Sequence, residues 1–209
     1  MECKKGQILV ISGPAGSGKG TTVNEILRLF PDEFTLSVSC TTRKPRKGEI
    51  DGVHYRFITE EEFDRRIEND EFLEYARYCN DNNYGTPRDF VEAERLKGRN
   101  VILEIDVKGG MQVKAREPDT ILIMVAPPDV ATLEKRLRGR GTEPEEEILK
   151  RLERGRQELE QIPLYDYIVV LPEGDPSAAA RQICEIVRAE GNSVKKNGDF
   201  IDRFYRINE

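Results

Sequence analysis

The 209-residue chain is poor in several groups on which enzymes and secreted domains commonly rely. It has one histidine, His54, which we read as a surface residue rather than a catalyst, so any catalysis has to be built from charge and positioning. Its four cysteines, Cys3, Cys40, Cys79 and Cys184, are widely scattered. That scatter excludes paired metal-ligand spacing and a dense disulfide framework, and it fits a reducing cytosol. No apolar run approaches the roughly 20 residues that span a bilayer, and residues 1–5 are short and charged, so a soluble, unexported, cytoplasmic protein with no membrane partner is expected. An excess of positive charge is also missing. The net charge is −6 with 34% charged residues, which disfavours nonspecific attraction to nucleic acid or anionic lipid and requires any anion binding to be local. There are no internal repeats or low-complexity tracts, and the length suits one domain carrying smaller inserted lobes.

What the chain does have is a glycine-rich loop behind an apolar strand. Residues 8–22 read Ile-Leu-Val-Ile-Ser-Gly-Pro-Ala-Gly-Ser-Gly-Lys-Gly-Thr-Thr, followed at helical spacing by Val23, Ile26, Leu27 and Phe30. Gly13, Gly16 and Gly18 let successive backbone N–H groups turn inward around an anion. Lys19 adds a point charge, and the following helix presents its positive end. Gly13, Pro14, Ala15, Gly16, Ser17, Gly18, Lys19, Gly20 and Thr21 thus form a candidate nucleoside triphosphate site. A plain strand-to-helix turn would explain the glycines but not the lysine after the last of them. Position 20 departs from the usual pattern, in which Ser or Thr reaches a magnesium ion. With Gly20 there and Thr21 the nearest hydroxyl, the ion is expected to rest mainly on phosphates and water.

Apolar segments at about 7–12, 100–106, 120–126 and 166–171 alternate with helical patterns, the signature of an α/β fold with a parallel sheet covered on both faces. Residues 36–95 differ in character, with short mixed segments and turn signals at Gly48 and Asp51-Gly52, and are read as an inserted lobe. A glycine- and arginine-rich break after Leu137 is read as a lid over 139–155, which leaves a core of 1–35, 96–138 and 156–209. The helix after the break carries Ile148, Leu152, Leu159 and Ile162 on one stripe and is expected to end before Pro163. A last helix is expected over about 176–190. Beyond it, Phe200, Ile201, Phe204, Tyr205 and Ile207 suggest a short docked element.

With loop, lobe and lid in place, the segment Ser37-Val-Ser-Cys-Thr-Thr-Arg-Lys-Pro-Arg-Lys-Gly-Glu-Ile-Asp-Gly-Val-His-Tyr55 strongly resembles the GMP-binding signature of guanylate kinases. Phe72-Leu-Glu74, Tyr84-Gly-Thr-Pro87, Ile105-Asp-Val-Lys-Gly109, Leu137-Arg-Gly-Arg-Gly-Thr142, Arg151-Leu152 and Tyr165-Asp-Tyr167 follow in the family's order. The resemblance covers roughly residues 6–188. It implies a P-loop sheet core with a GMP lobe and a lid, and transfer of a phosphoryl group from ATP to GMP or dGMP with magnesium. It assigns the GMP phosphate to Arg43, Arg46, Tyr55 and Tyr84, and the guanine to Glu74 assisted by Ser39 and Thr86. Asp106 is placed to meet base or metal, so Thr21 and Asp106 are the possible protein contacts of the ion, directly or through water. Lys19, Arg43, Arg140 and Arg151 would surround the transferred group.

The residue chemistry agrees. Two arginines in the restrained Thr-Arg-Lys-Pro-Arg turn can grip a phosphate bidentately where lysines act only as point charges. A carboxylate accepts from both N1–H and the 2-amino group of guanine, and adenine offers neither donor. The attacking phosphate oxygen of GMP, with a second pKa of about 6, needs no general base at neutral pH. Arg136, Arg138, Arg154 and Arg156 are read as solvated or ion-paired. Several positions depart from the family's common pattern: Glu104 where Asp is common, Cys40 for His, Lys108 for Gln and Leu171 for Asn, the last bearing on the adenine end of the donor site. Gly-Lys-Gly-Thr is also shared with adenylate and cytidylate kinases, and scaffold modules use the same fold without a working loop. Those remain the two alternatives to be tested.

Overall fold

Alternate residues of the apolar strands point to opposite faces of one parallel sheet, which is why those strands read as unbroken hydrophobic runs. The computed structural model describes residues 4–77, 82–139, 144–172 and 175–206. Its main sheet is formed by β1 (Ile8–Ser12), β2 (Phe34–Leu36), β7 (Asn100–Glu104), β8 (Ile121–Ala126) and β9 (Tyr167–Val170), in the order β2-β7-β1-β8-β9 and parallel throughout. Leu9 and Ile11 join Val23 and Ile26 of α1 (Lys19–Leu29) and Ile183 and Val187 of α7 (Pro176–Gly191) on one face. Ile8 and Val10 pack on the other face with Val91 of α3 (Arg88–Leu96) and Val113 of α4 (Val107–Arg116). All of these side chains are fully or almost fully buried.

A second, four-stranded sheet is inserted between β2 and β7. It runs β4 (Arg56–Phe57), β3 (Cys40–Thr41), β6 (Asn83–Pro87), β5 (Phe72–Arg77), with β3–β4 parallel and the other two pairings antiparallel. Helix α2 (Glu60–Glu68) starts at Thr59, whose hydroxyl accepts from Glu62 N, and lays Phe63 against Phe72 with ring centroids 4.8 Å apart. Phe63, Phe72 and Cys40 form the small core of this sheet. Helix α3 falls within the 36–95 span except for Leu96 but packs on the main sheet through Val91. The Phe63→Ala substitution is expected to destabilise the protein by about 3 to 5 kcal/mol, read from the midpoint of urea unfolding. An unshifted midpoint would mean that this core contributes nothing to the cooperative unit.

The remaining helices are α5 (Val130–Arg138), α6 (Glu145–Leu159) and α8 (Phe200–Arg206). Leu133 and Leu137 of α5 meet Ile148 of α6, so α6 leans on α5 above the glycine-rich loop. The expected stripe on α6 is cut short. The helix ends at Leu159, and Ile162 belongs to a separate 3₁₀ turn, Ile162–Leu164, that holds Pro163. Strand β7 likewise stops at Glu104, so Asp106 does not end the strand; its carboxylate accepts from Gly109 N at 2.9 Å and caps α4. The aromatic tail forms a helix but is not docked as expected. Phe200, Ile201, Phe204 and Tyr205 are each more than half exposed, and Phe200 and Phe204, one turn apart, stack on each other rather than on the core. Ile207 lies outside the described residues. No helix among the described residues is long and apolar enough to cross a membrane.

Candidate active site

The loop after β1 turns on positive-φ glycines. At Gly13 (φ 152°) a Cβ would sit 2.1 Å from Val125 O, and at Gly18 (φ 98°), the N-cap of α1, it would sit 2.2 Å from Leu171 Cδ2. Only glycine allows this close approach to the sheet. Lys19 Nζ folds back to donate to the carbonyls of Gly13 and Pro14. Ala15 packs against the α5–α6 contact, Ser17 is buried and its N donates to Pro14 O at 3.0 Å, and Thr21 is exposed. Arg136, read from sequence as spare, is not: its guanidinium donates to Ser17 O at 3.0 Å and Leu171 O at 3.1 Å, bracing the loop. Leu171 itself is 5% exposed and packs beneath Gly18, a core position rather than a wall of an open pocket.

On the inserted sheet, Arg43 follows β3 and its guanidinium is the centre of a cluster. It donates from Nε to the Tyr84 hydroxyl at 3.1 Å, and from both terminal nitrogens to Glu49 at 2.9 and 3.0 Å. It also lies 5.3 Å from the centre of the Tyr55 ring, which meets Tyr84 edge-on. Glu49 additionally accepts from Arg46 N at 2.7 Å, while the Arg46 side chain is exposed. Arg43, and secondarily the Arg46 N–H, hold the Glu49 carboxyl down at about 2, and Glu49 in turn raises the pKa of Arg43. Burial pushes the Tyr55 hydroxyl up. Ser39 is half-buried, and its carbonyl accepts from Arg56 N. Sequence reading missed Glu49, although its place in the Thr-Arg-Lys-Pro-Arg-Lys-Gly-Glu turn, six residues after Arg43, was a usable signal.

The guanine candidates meet across the β5–β6 ladder. Glu74 and Thr86 are register partners, and Thr86 Oγ1 donates to Glu74 Oε1 at 2.6 Å. Glu74 is 5% exposed, and a Cβ on Gly109 would lie 3.0 Å from its Oε2, so the start of α4 closes over it. Burial, helped by the Asp106 charge and only partly offset by Thr86, raises this carboxyl to about 7. Such a buried carboxyl, titrating near neutrality beneath the start of α4, is a specific candidate for ligand reading.

Two adjoining cavities run between the two sheets and α6. One, of about 540 Å³, is lined by Gly13, Lys19, Glu104, Asp106 and Arg151 among others; the other, of about 1080 Å³, borders Tyr75, Asp106 and Lys108. Lys150, Arg154 and Glu158 line both. Glu147, Lys150, Arg151, Arg154 and Glu158 recur at helical spacing on one face of α6; of these, sequence reading assigned Arg151 to the transferred group and read Arg154 as solvated or ion-paired. Burial raises the carboxyls of Glu104 and Glu158, with Lys19 opposing in each case. Arg140 lies outside the described residues, as do Cys79 and the 141–143 segment of the lid.

Comparison with known proteins gives the family and the fold. A family model described as guanylate kinase matches residues 5–190. A guanylate kinase of Desulfitobacterium hafniense is 46% identical over 94% of this chain and 96% of its own length. One from Thermotoga maritima is 46% identical over 96% of this chain and 95% of its own. The crystal structure of guanylate kinase from Anaplasma phagocytophilum superposes with a TM-score of 0.69 at 32% identity, covering 92% of this chain and 90% of that one.

Proposed function

The chain belongs to the guanylate kinase family and is an ATP:GMP phosphotransferase, and we propose that the residues gathered above divide that work as follows. Lys19 and the N–H groups of residues 13–21 hold the ATP phosphates. Arg43 and Arg46, with the hydroxyls of Tyr55 and Tyr84, hold the GMP phosphate, and Glu74 reads guanine with Ser39 and Thr86 beside it. The observation that carries this reading is the buried Glu74 carboxyl, raised to about 7 next to Thr86. Its anion is costly while buried without N–H donors and is stabilised once the two guanine N–H groups reach it.

The GMP phosphate is itself the nucleophile and is largely ionised at neutral pH, so the chain need only align it and neutralise charge. Lys19, Arg43, Arg151 and Arg140 supply that charge, and closure of the 36–95 lobe and the 139–155 lid excludes the water that would turn transfer into ATP hydrolysis. Magnesium belongs to the same proposal: it would neutralise the ATP oxygens when bound. No group of three or more His, Cys, Asp or Glu that could hold a metal occurs among the described residues, so the ion is taken to enter with ATP and to meet oxygen donors at the cleft. A cytoplasmic location is proposed as well; Cys40 and Cys184 are free, buried thiols.

The test is ADP release from ATP and magnesium with GMP, AMP, CMP and UMP offered separately. Transfer to GMP alone is expected. Transfer to another monophosphate would make the guanine reading wrong, and none at all despite ATP binding would point to a binding-only module.

A further inference from the structure

Strand β5 carries Glu74, yet it is an edge strand of the inserted sheet: β6 pairs with one side of it, and no strand among the described residues pairs with the other. The β5–β6 ladder also shifts register between Phe72 and Glu74. A strand side chain changes face when its register slips by one residue, so this ladder alone is a weak fixture for a carboxyl that has to be aimed.

A helix closes the open edge. Gln112 of α4 meets Tyr75, the residue after Glu74, with both ends of its side-chain amide: Oε1 accepts from Tyr75 N at 3.3 Å and Nε2 donates to Tyr75 O at 3.2 Å. The amide thus stands where a neighbouring strand would pair. A carboxylate could serve only the N–H and an ammonium only the carbonyl, whereas a neutral amide serves both. About one turn further along α4, Arg116 donates to Phe72 O at 3.0 Å and pairs with Asp70 just before the strand. About one turn earlier is Gly109, where a Cβ would lie 3.0 Å from Glu74 Oε2. Gly109, Gln112 and Arg116 recur at helical spacing, so one face of α4 lies along β5 from Phe72 to Tyr75.

Resting on the reading of Glu74 as the guanine contact, we propose that Gln112 is a positioning residue for acceptor specificity. It borders the larger cavity, but its amide is committed to Tyr75 and it acts through the strand. By fixing the β5 backbone directly after Glu74, it lets the two carboxylate oxygens meet N1–H and the 2-amino group of guanine together. A strand free to shift would keep one of those contacts and lose the other.

The test uses Gln112→Met, which keeps the length of the side chain and removes the amide, and Gln112→Glu, which keeps an acceptor for Tyr75 N and loses the donor to Tyr75 O. Hydrogen exchange at the Tyr75 amide is expected to speed up by about tenfold in Gln112→Met. Transfer is measured with GMP and with inosine monophosphate, which has N1–H and lacks the 2-amino group. The unsubstituted chain is expected to prefer GMP by about 10²-fold in kcat/KM. In Gln112→Met that preference is expected to fall by about tenfold through a higher KM for GMP, with the KM for ATP unchanged and Gln112→Glu lying between. Should Gln112→Met not fold, Gln112→Glu carries the same measurements. An unchanged preference, or an equal loss with both acceptors, would make Gln112 a stabilising contact only and overturn the proposal, as would unaltered exchange at Tyr75. If the unsubstituted chain used the two acceptors alike, the Glu74 reading itself would fail and this inference with it.

Discussion

Replacing Lys19 by alanine is expected to lower GMP-dependent ADP formation by about 10³-fold or more, and Arg43→Ala to do the same by a different route. Lys19 emerges from the first turn of α1 and is held over the loop by the Gly13 and Pro14 carbonyls, so its charge already stands over the proposed triphosphate site. The lost contacts inside the loop are ordinary hydrogen bonds, worth about 1 kcal/mol each, and the melting temperature of Lys19→Ala should move little. The defect should therefore appear mainly in kcat. Arg43 is a planar fork whose side chain is 10% exposed, fixed by Glu49, Tyr84 and the Tyr55 ring. Its removal should raise the KM for GMP as well as lower kcat, and Arg43→Lys should recover little, because an ammonium keeps the charge and loses the bidentate geometry. Normal turnover in either alanine variant would remove that residue from the site.

The Glu74→Gln variant is expected to fold more stably while losing GMP. The folded carboxyl titrates at about 7 against an ordinary value of 4.5. Between those values the folded chain holds a proton that the unfolded chain has released, so stability falls as pH rises through that window, and the cost is fully present above about 7. A shift of this size corresponds to roughly 3 kcal/mol at its upper limit, so a neutral amide should raise the melting temperature by several degrees at pH 8 and change it little at pH 4. A gain of equal size at both pH values would contradict the origin in ionisation. The amide also turns a donor toward the guanine N–H groups, and GMP affinity should drop by about 10²-fold to 10³-fold. In the unsubstituted chain GMP affinity should climb between pH 6 and 8 as Glu74 ionises. In the variant only the titration of the GMP phosphate, near pH 6, should remain. Stability sacrificed at one buried carboxylate for the sake of a ligand is a common signature of a binding site.

Not every strong signal in the chain referred to packing. The aromatic residues near the C-terminus read as a docked element, yet in α8 they face solvent and one another, because spacing along a helix says which residues share a face and nothing about what lies opposite. Strand β2 was invisible for a related reason: its three residues are too few to show a period, and it is a strand only because Phe34–Leu36 pair with β7 at the sheet edge. The two-residue strands β3 and β4 are the same case.

The phosphate loop, the parallel-sheet core and the arginine-bearing turn around residue 43 were all readable from sequence alone. Each depends on neighbours along the chain: glycines that admit positive φ, a lysine beginning a helix, apolar runs buried on both faces, and prolines that restrain a turn. The partnerships that give those pieces their chemistry were not readable. Arg136 reaches Ser17 from 119 positions away, Thr86 faces Glu74 through antiparallel register, and Glu104 stands against the bare position at Gly20 because β7 lies beside β1. Local sequence sets backbone conformation through sterics and short-range hydrogen bonds. Which distant side chains share a cavity, and hence which carboxylate is buried, paired or exposed, is decided only when sheet order and register close the chain on itself.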